Sequence, residues 1–344
     1  MEKAQMKLEM QVIRQMKKNR IILVYTISIL VLIGLILYSA KTGSIEMTFG
    51  KLLRGLFIEY DPDVATIYDL RFPRIIISIL AGAALATSGV LLQAVMQNPL
   101  TDPGIIGISS AASLSASLVM ILFPGLYAFS PLFSVVGGLL AYLLIYSLAW
   151  NGGSNPIKLI LVGVALNMTL MGVNEGIKSM MGGNLTNVQS IIEGNVAQKT
   201  WADVKIMAIY GILFLIIALF TIRTANLLQL EDQTAQALGV NVNRDRFILA
   251  LIGIILASVS TAIVGVIGFL GLVVPHIGRI ILGSNHKNLI PYSMILGAIT
   301  LLLSDTLGRV IAYPYEIKPS VVMTVVGGIF FICLLKVGGK NYGN

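Results

Sequence analysis

The chain has 344 residues, of which 56% are hydrophobic and 12% are charged, and its mean hydropathy is +0.87. Soluble globular domains carry about 25% charged residues, so this composition excludes that class. The net charge of +8 does not indicate a nucleic-acid partner, because six of the basic residues precede the first apolar run. A single cysteine, Cys333, excludes a disulfide framework within the chain.

Ten apolar segments have nearly the length that crosses the ~30 Å hydrocarbon core of a bilayer. They lie at residues 21–40, 73–96, 104–123, 127–149, 157–181, 202–222, 246–265, 267–283, 289–312 and 319–336. Backbone groups in lipid must be satisfied within each segment, so the predicted fold is all-α, a polytopic membrane protein with about ten transmembrane helices. With the N-terminus inside, cytoplasmic ends hold 14 of the 24 Lys and Arg residues, as the positive-inside rule requires.

The expected organisation is one membrane domain with a short polar tail at each end. Residues 1–20 are predicted to be a basic cytoplasmic tail, residues 21–336 the membrane domain, and residues 337–344 a cytoplasmic C-terminal tail. Asp102 and Pro103 follow the second span, and they suit the N-cap and first turn of the third helix. The sequence therefore predicts a tight inner turn there.

Two arginines, Arg71 and Arg74, stand at the outer end of the second span. They are either anchors that reach the membrane interface or cationic posts for acidic side chains of an external partner. In the ninth span, Asp305 and Arg309 are spaced to pair on one helix face, and Arg309 could also project to the external surface.

The fifth span carries Asn and Met residues that could line a path for a bulky solute, since Met adapts to irregular shapes. The alternative interpretation is a span whose outer end is neutralised by Glu175 and Lys178. In the eighth segment, Pro275 predicts a break of the kind that often lies beside a pathway.

A polar segment, residues 226–246, separates two long apolar runs. It is too short to bury a core of its own, and its charges cannot lie in hydrocarbon. Gln233–Leu238 is predicted to be helical, with Gly239 ending the helix at a positive φ. Five residues would then form an exposed apolar edge, namely Leu227, Leu228, Leu230, Ala235 and Leu238. The segment is either a loop on lipid headgroups or a docking element for a soluble partner.

Seven stretches together resemble the permease subunits of ATP-binding-cassette (ABC) importers for ferric siderophores, haem and cobalamin, the FecCD type. In chain order they are RFPR (71–74), LLQAVMQNPLTDPGIIG (91–107), LVGVAL (161–166), EDQTAQALGV (231–240), GFLGLVVPHIGR (268–279), NLIPYSMILGA (288–298) and LLLSDTLGR (301–309).

This resemblance implies the type II ABC importer permease fold in a bacterial cytoplasmic membrane, with both termini in the cytoplasm. It implies a second permease subunit, identical or related, two ATPase subunits that bind ATP and Mg, and an extracytoplasmic substrate-binding protein. The chain itself is expected to bind no cofactor or metal and to have no catalytic residue. By the resemblance, docking of the binding protein is assigned to Arg71, Arg74 and Arg309. Coupling to the ATPase is assigned to cytoplasmic helices at residues 227–241, and within them to Glu231, Gln233, Ala235, Leu238 and Gly239. From the residues of the chain itself, and not from the resemblance, the translocation pathway and gate are assigned to Asn155, Asn167, Met168, Met171, Asn174 and Pro275.

A ferric siderophore is the expected substrate, with haem second and cobalamin third, in the order of how common they are in the family. A secondary transporter driven by an ion gradient is the alternative from a different class, and its candidate carboxylates would be Glu175 and Asp305. A membrane enzyme is disfavoured, because the sequence has no nucleophile–base pair or metal-ligand motif.

Overall fold

A computed structural model describes residues 2–42, 50, 54, 61–149, 156–181 and 191–338. Within this part of the chain every regular element is a helix. The helices are α1 (Glu2–Lys41), α2 (Pro62–Val95), α3 (Ile108–Leu122), α4 (Ser130–Ala149), α5 (Pro156–Met181), α6 (Trp201–Phe220, with a π-helical turn at Ala208–Ile212), α7 (Ile222–Leu227), α8 (Asp232–Ala237), α9 (Val242–Val264), α10 (Leu270–Leu282), α11 (His286–Ile311) and α12 (Pro319–Gly338). A 3₁₀ turn at Pro124–Phe129 joins α3 to α4.

Each of the ten predicted spans coincides with one of these helices. Among the described residues, seven helical stretches are long and apolar enough to cross a membrane, and α3, α10 and the apolar part of α12 are shorter. The prediction of an all-α polytopic membrane protein is therefore confirmed. The predicted N-terminal tail is helical from Glu2 and continues into the first span as one helix. Asn155 lies outside the described residues.

Helix α2 is the centre of the bundle. Its most apolar window is 83% buried, whereas the corresponding window of α1 is 6% buried and faces outward. Small residues allow this burial, because a Cβ atom added to Gly82 would lie 2.3 Å from the Gly297 carbonyl oxygen of α11. A Cβ added to Gly89 would lie 2.0 Å from the Gly271 carbonyl oxygen of α10. The backbones of α2, α10 and α11 therefore touch, as small-residue helix faces permit in lipid.

Helices α3 and α10 are short because each begins after a buried irregular stretch. Helix α3 follows Gly107, which has φ +89°, and α10 follows Phe269, which has φ +65°. The two stretches meet, since a Cβ on Gly104 would lie 3.0 Å from the Gly268 Cα atom. Asp102 Oδ1 accepts hydrogen bonds from the N–H groups of Gly104 and Ile105, so the predicted capping turn exists. The α-helix itself starts at residue 108 rather than 104.

The prediction that Pro275 breaks the eighth segment is wrong. Helix α10 runs through Pro275 without interruption, and the break lies earlier, at residues 265–269. Pro275 has no N–H to donate to the carbonyl of Gly271, four residues before it. The Gln93 side chain of α2 supplies the missing donor, with its Nε2 atom 3.0 Å from that carbonyl oxygen. The helix tolerates the proline because a neighbouring helix satisfies the freed group.

Candidate functional site

The polar segment, residues 226–246, forms a helical projection at one end of the bundle, which is called the knob below. Helix α8 ends in two backbone hydrogen bonds of a Schellman motif, from Gly239 N–H to Gln236 O (2.9 Å) and from Val240 N–H to Ala235 O (3.1 Å). Gly239 has φ +84°, a conformation that residues with a side chain rarely adopt. The predicted helix and its glycine stop are therefore confirmed.

Four of the five residues assigned to coupling are exposed on this knob, and Ala235 is not. Glu231, Gln233, Leu238 and Gly239 are exposed, with Leu238 61% accessible. Ala235 is 1% accessible and packs in the main hydrophobic core, where Leu228 is also fully buried. The predicted apolar edge is thus wrong at these two positions. Both side chains attach the knob to the bundle, and Leu230 and Leu238 remain available to a partner.

Hydrogen bonds connect the polar segment to two other parts of the bundle. Gln97, beyond the end of α2, donates from Nε2 to the carbonyl oxygens of Leu228 and Leu230, each at 3.1 Å. At the junction of α10 and α11, the Asn226 Oδ1 atom accepts from the backbone N–H of His286 at 2.9 Å. A displacement of the segment therefore acts directly on the end of α2 and on the α10–α11 junction.

An ion pair also joins the first residue of α8 to α9. Arg246 of α9 donates from Nη1 and Nη2 to the two carboxylate oxygens of Asp232, at 2.8 and 2.7 Å. Bidentate pairs of this kind restrict orientation as well as distance. The pair therefore restricts how α8 is oriented relative to α9.

The opposite end of the bundle carries Arg71, Arg74 and Arg309, and is called the arginine face below. Arg74 donates to both carboxylates near it, with Nη2 2.8 Å from Asp305 Oδ1 and Nη1 2.9 Å from Glu316 Oε2. Arg309 Nε lies 3.5 Å from the other oxygen of Asp305, as the i, i+4 spacing predicts. Asp305 is fully buried, and its negative charge is shared by the guanidinium groups of Arg74 and Arg309 in a site with little access to water.

Two of these arginines also satisfy the end of α1. Arg71 Nη1 donates to the Ala40 carbonyl at 2.9 Å, and Arg309 Nη1 donates to the Thr42 carbonyl at 3.0 Å. The last carbonyl groups of a helix have no partner within the helix, and cations stabilise that end. The three arginines are 8–9% accessible, so the expectation that Arg309 projects to the external surface is wrong. Their assignment to docking stays a prediction.

The residues of α5 that were assigned to the translocation pathway divide into two groups. Asn174 is buried and donates from Nδ2 to the Ser110 carbonyl of α3 at 3.2 Å, while Asn167 accepts from the Ser110 hydroxyl. Met168 and Met171 are exposed. The asparagines therefore attach α5 to the start of α3, and the methionines are the members of this predicted set that present free surface.

The described residues contain no group of three or more His, Cys, Asp or Glu side chains that could hold a metal ion.

Sequence reasoning missed the residues whose hydrogen bonds hold the polar segment and the arginines in place. The missed residues are Gln97, Asn226, Gln229, Arg246, His286 and Glu316. An available signal was the concentration of amide side chains at the predicted ends of spans, where carbonyl groups need donors.

Comparison with known proteins gives consistent matches along nearly the whole chain. A family model described as the FecCD transport family matches residues 29–337. The Staphylococcus aureus (strain MSSA476) protein IsdF, described as a probable heme-iron transport system permease protein, is 40% identical over 326 residues. That alignment covers 95% of this chain and 99% of IsdF, and the IsdF of strain Newman gives the same values.

Two solved structures are similar in fold. A transporter described as of the metal-chelate ABC type, in an inward-facing conformation, matches with a TM-score of 0.75 and 25% identity. The match covers 93% of this chain and 99% of that one. The PsaBC structure from Streptococcus pneumoniae matches with a TM-score of 0.56 and 19% identity, over 84% of this chain and 95% of that chain, which is a likeness of fold alone.

Proposed function

This chain belongs to the FecCD transport family, and from that premise we propose that it imports haem as the permease subunit of an ABC importer. The observation that carries the substrate is the 40% identity to IsdF over nearly its full length, since IsdF is named for heme-iron transport. A ferric siderophore, which the sequence alone ranks first, has less support than haem. Both substrates are compatible with the same permease architecture.

The substrate proposal is tested by uptake of radiolabelled iron in a strain that lacks this chain. Iron is supplied either as haem or as one of several ferric siderophores. We expect haem-iron uptake to be lost in the deletion strain and restored by the gene, with siderophore uptake unchanged. Loss of siderophore uptake with normal haem uptake would contradict the proposal.

The energy for transport is proposed to enter through the polar segment. Two ATPase subunits, which carry ATP and Mg, would bind the exposed side chains of Glu231, Gln233 and Leu238. Closure of the ATPase pair would displace α8 together with the start of α9, because the ion pair of Arg246 with Asp232 joins them. The hydrogen bonds from Gln97 and Asn226 would then move the end of α2 and the α10–α11 junction.

The pathway is proposed to lie between this chain and a second permease subunit, identical or related. Helix α5 supports this placement, because only 11% of its apolar window is buried within the chain. Its exposed Met168 and Met171 would face the pathway or the second subunit. We place the polar segment and both termini in the cytoplasm of a bacterial cell and the arginine face outside.

Docking of a substrate-binding protein is proposed at the arginine face. Arg74 shares its charge between buried Asp305 and Glu316, whose side chain is 49% exposed. An acidic side chain of the binding protein could take the place of Glu316 without disturbing Asp305. Arg71 and Arg309 would contribute through the positive potential of the face rather than through direct contact.

Replacing Glu316 with glutamine is expected to strengthen docking, because Arg74 would lose its exposed competitor. An exposed ion pair is worth about 0–1 kcal/mol, so the affinity should rise by up to roughly fivefold. The measurement is surface plasmon resonance of the binding protein on the chain in nanodiscs. Glu175→Gln is the matched control, since Glu175 is also exposed and pairs with Lys178 at 3.5 Å. Weaker docking, or an equal gain in both variants, would contradict this role for Arg74.

A secondary transporter driven by an ion gradient fits the structure less well. Such a carrier needs a carboxylate that can bind and release an ion along a path. Asp305 is fully buried between Arg74 and Arg309, and Glu175 pairs with Lys178. Asp305 is therefore neutralised by two basic partners, while Glu175 lies exposed at the surface and shares Lys178 with Glu193.

A further inference from the structure

A polar cavity of about 360 Å³ lies beside the polar segment, between the end of α2 and the α10–α11 junction. Arg279 and His286 line it together with Gln93, Gln97 and Gln229. Exposed Gln97 and Gln229 stand at its rim, so the cavity opens at the end of the bundle that carries the knob. A lining of amide, guanidinium and imidazole groups suits a small hydrophilic ligand better than an apolar one.

Arg279 brings a positive charge into this cavity without a carboxylate among the described residues to balance it. Its Nη2 atom donates to Gln93 Oε1 at 2.5 Å, and its buried Nη1 atom has no hydrogen-bond partner among the residues that the structure describes. Gln93 cannot turn its amide around, because Nε2 already donates to the carbonyls of Thr101 and Gly271. A buried cation with a free donor is stable when an anion accepts from it.

His286 contributes the opposite kind of group, a buried acceptor atom that needs a hydrogen-bond donor. Its backbone N–H donates to Asn226 Oδ1 at 2.9 Å, so that side-chain atom is the carbonyl oxygen and can only accept. The His286 Nδ1 atom lies 3.1 Å from the same oxygen and must therefore carry the proton. In the neutral ring this leaves Nε2 as an acceptor, and this atom is buried with no partner in the described part of the chain, in a residue of 0% accessibility.

We propose that the cavity binds a protonated phosphate group. One phosphate oxygen would accept from Arg279 Nη1, and a P–OH group would donate to His286 Nε2. Inorganic phosphate keeps at least one such hydrogen at neutral pH, whereas sulfate has none and would leave the histidine nitrogen unsatisfied. The phosphate is either a free anion of the cytoplasm or the monoester headgroup of a lipid, and the monoester offers the required P–OH group only in its singly ionised form.

A phosphate at this site would join parts of the chain that the coupling motion has to move. Arg279 belongs to α10, His286 begins α11, and Asn226 connects His286 to the polar segment. Occupancy would therefore hold the α10–α11 junction against the end of α2. This inference stands independently of which substrate is imported, because it rests on the chain's own buried groups.

The test is the thermal stability of the full chain in phosphatidylcholine nanodiscs at pH 7, with phosphate or sulfate at equal ionic strength. Ligand that binds only the folded chain raises Tm with concentration. We expect phosphate to raise Tm by several degrees and sulfate to have no comparable effect. Equal responses to the two anions, or no response to phosphate, would overturn the proposal.

Equilibrium binding of radiolabelled phosphate separates the site from general charge effects. Arg279→Gln should weaken binding at least tenfold, whereas Arg244→Gln, which removes a mostly exposed arginine outside the cavity, should leave it unchanged. Equal losses in both variants would overturn the site. Adding phosphatidate to the nanodiscs distinguishes the sources: displacement of labelled phosphate supports a lipid headgroup in the site, and undisturbed binding supports a free anion. If Arg279→Gln fails to fold, the anion selectivity of the native chain still decides.

Discussion

Replacing Gly239 with valine is expected to reduce ATP-dependent uptake about tenfold or more while the chain remains folded in the membrane. Gly239 has φ +84°, and no atom lies within 4 Å of an added Cβ, so the substitution introduces backbone strain without a clash. That strain is about 1–2 kcal/mol for most residues and greater for a β-branched one. It is relieved by redirecting the turn after α8, which moves the exposed surface that we propose the ATPase binds.

The control for this prediction is Gly239→Asn, because asparagine tolerates the left-handed conformation. Uptake is measured in cells, and the amount and Tm of the purified chain are measured in detergent. We expect the asparagine variant to retain most of the uptake and the Tm of both variants to stay within a few degrees of the native value. Normal uptake by the valine variant would show that the geometry of the knob does not matter.

Replacing Gly89 with valine is expected to prevent the bundle from assembling. The added Cβ would lie 2.0 Å from the Gly271 carbonyl oxygen and 2.5 Å from the Gly271 Cα atom. Both are backbone atoms, so α2 and α10 would have to separate along their contact. Overpacking a core usually costs about 1–3 kcal/mol, and a backbone-to-backbone contact belongs at or above the upper end.

Gly34→Val is the matched control for Gly89→Val. Gly34 lies on the exposed surface of α1, no atom lies within 4 Å of its added Cβ, and valine is a better helix former than glycine. Fluorescence-detected size-exclusion chromatography after mild heating reports the folded fraction of each variant. We expect loss of the monodisperse peak for Gly89→Val alone. A native profile for that variant would contradict the close contact of α2 with α10.

Helix positions are predictable from this sequence because hydropathy adds up over a whole span, as in α9 and α11. The starts of α3 and α10 are less predictable. These two spans are predicted to start at residues 104 and 267, but their α-helices begin at residues 108 and 270. Irregular backbone at membrane depth is stable only when other parts of the protein bury it. That burial depends on contacts between residues 101–107 and 265–269, which no local pattern encodes.

In the candidate site, too, the features that depend on neighbouring residues were predictable and the long-range contacts were not. The glycine stop at Gly239 and the pairing of Asp305 with Arg309 follow from short-range spacing. The bonds from Arg74 to Asp305 and from Gln97 to Leu228 join residues 231 and 131 positions apart. Only the folded chain brings such partners together, so the burial of the arginines could not be foreseen from their place at the end of a span.

We propose that a separate ATPase drives transport through the polar segment. The most direct measurement is haem accumulation in proteoliposomes that contain this permease, with and without its ATPase subunits, under either ATP or an imposed ion gradient. We predict accumulation only when the ATPase subunits and ATP are both present, and its loss in Gly239→Val. Accumulation driven by an ion gradient in liposomes that lack the ATPase would contradict the account.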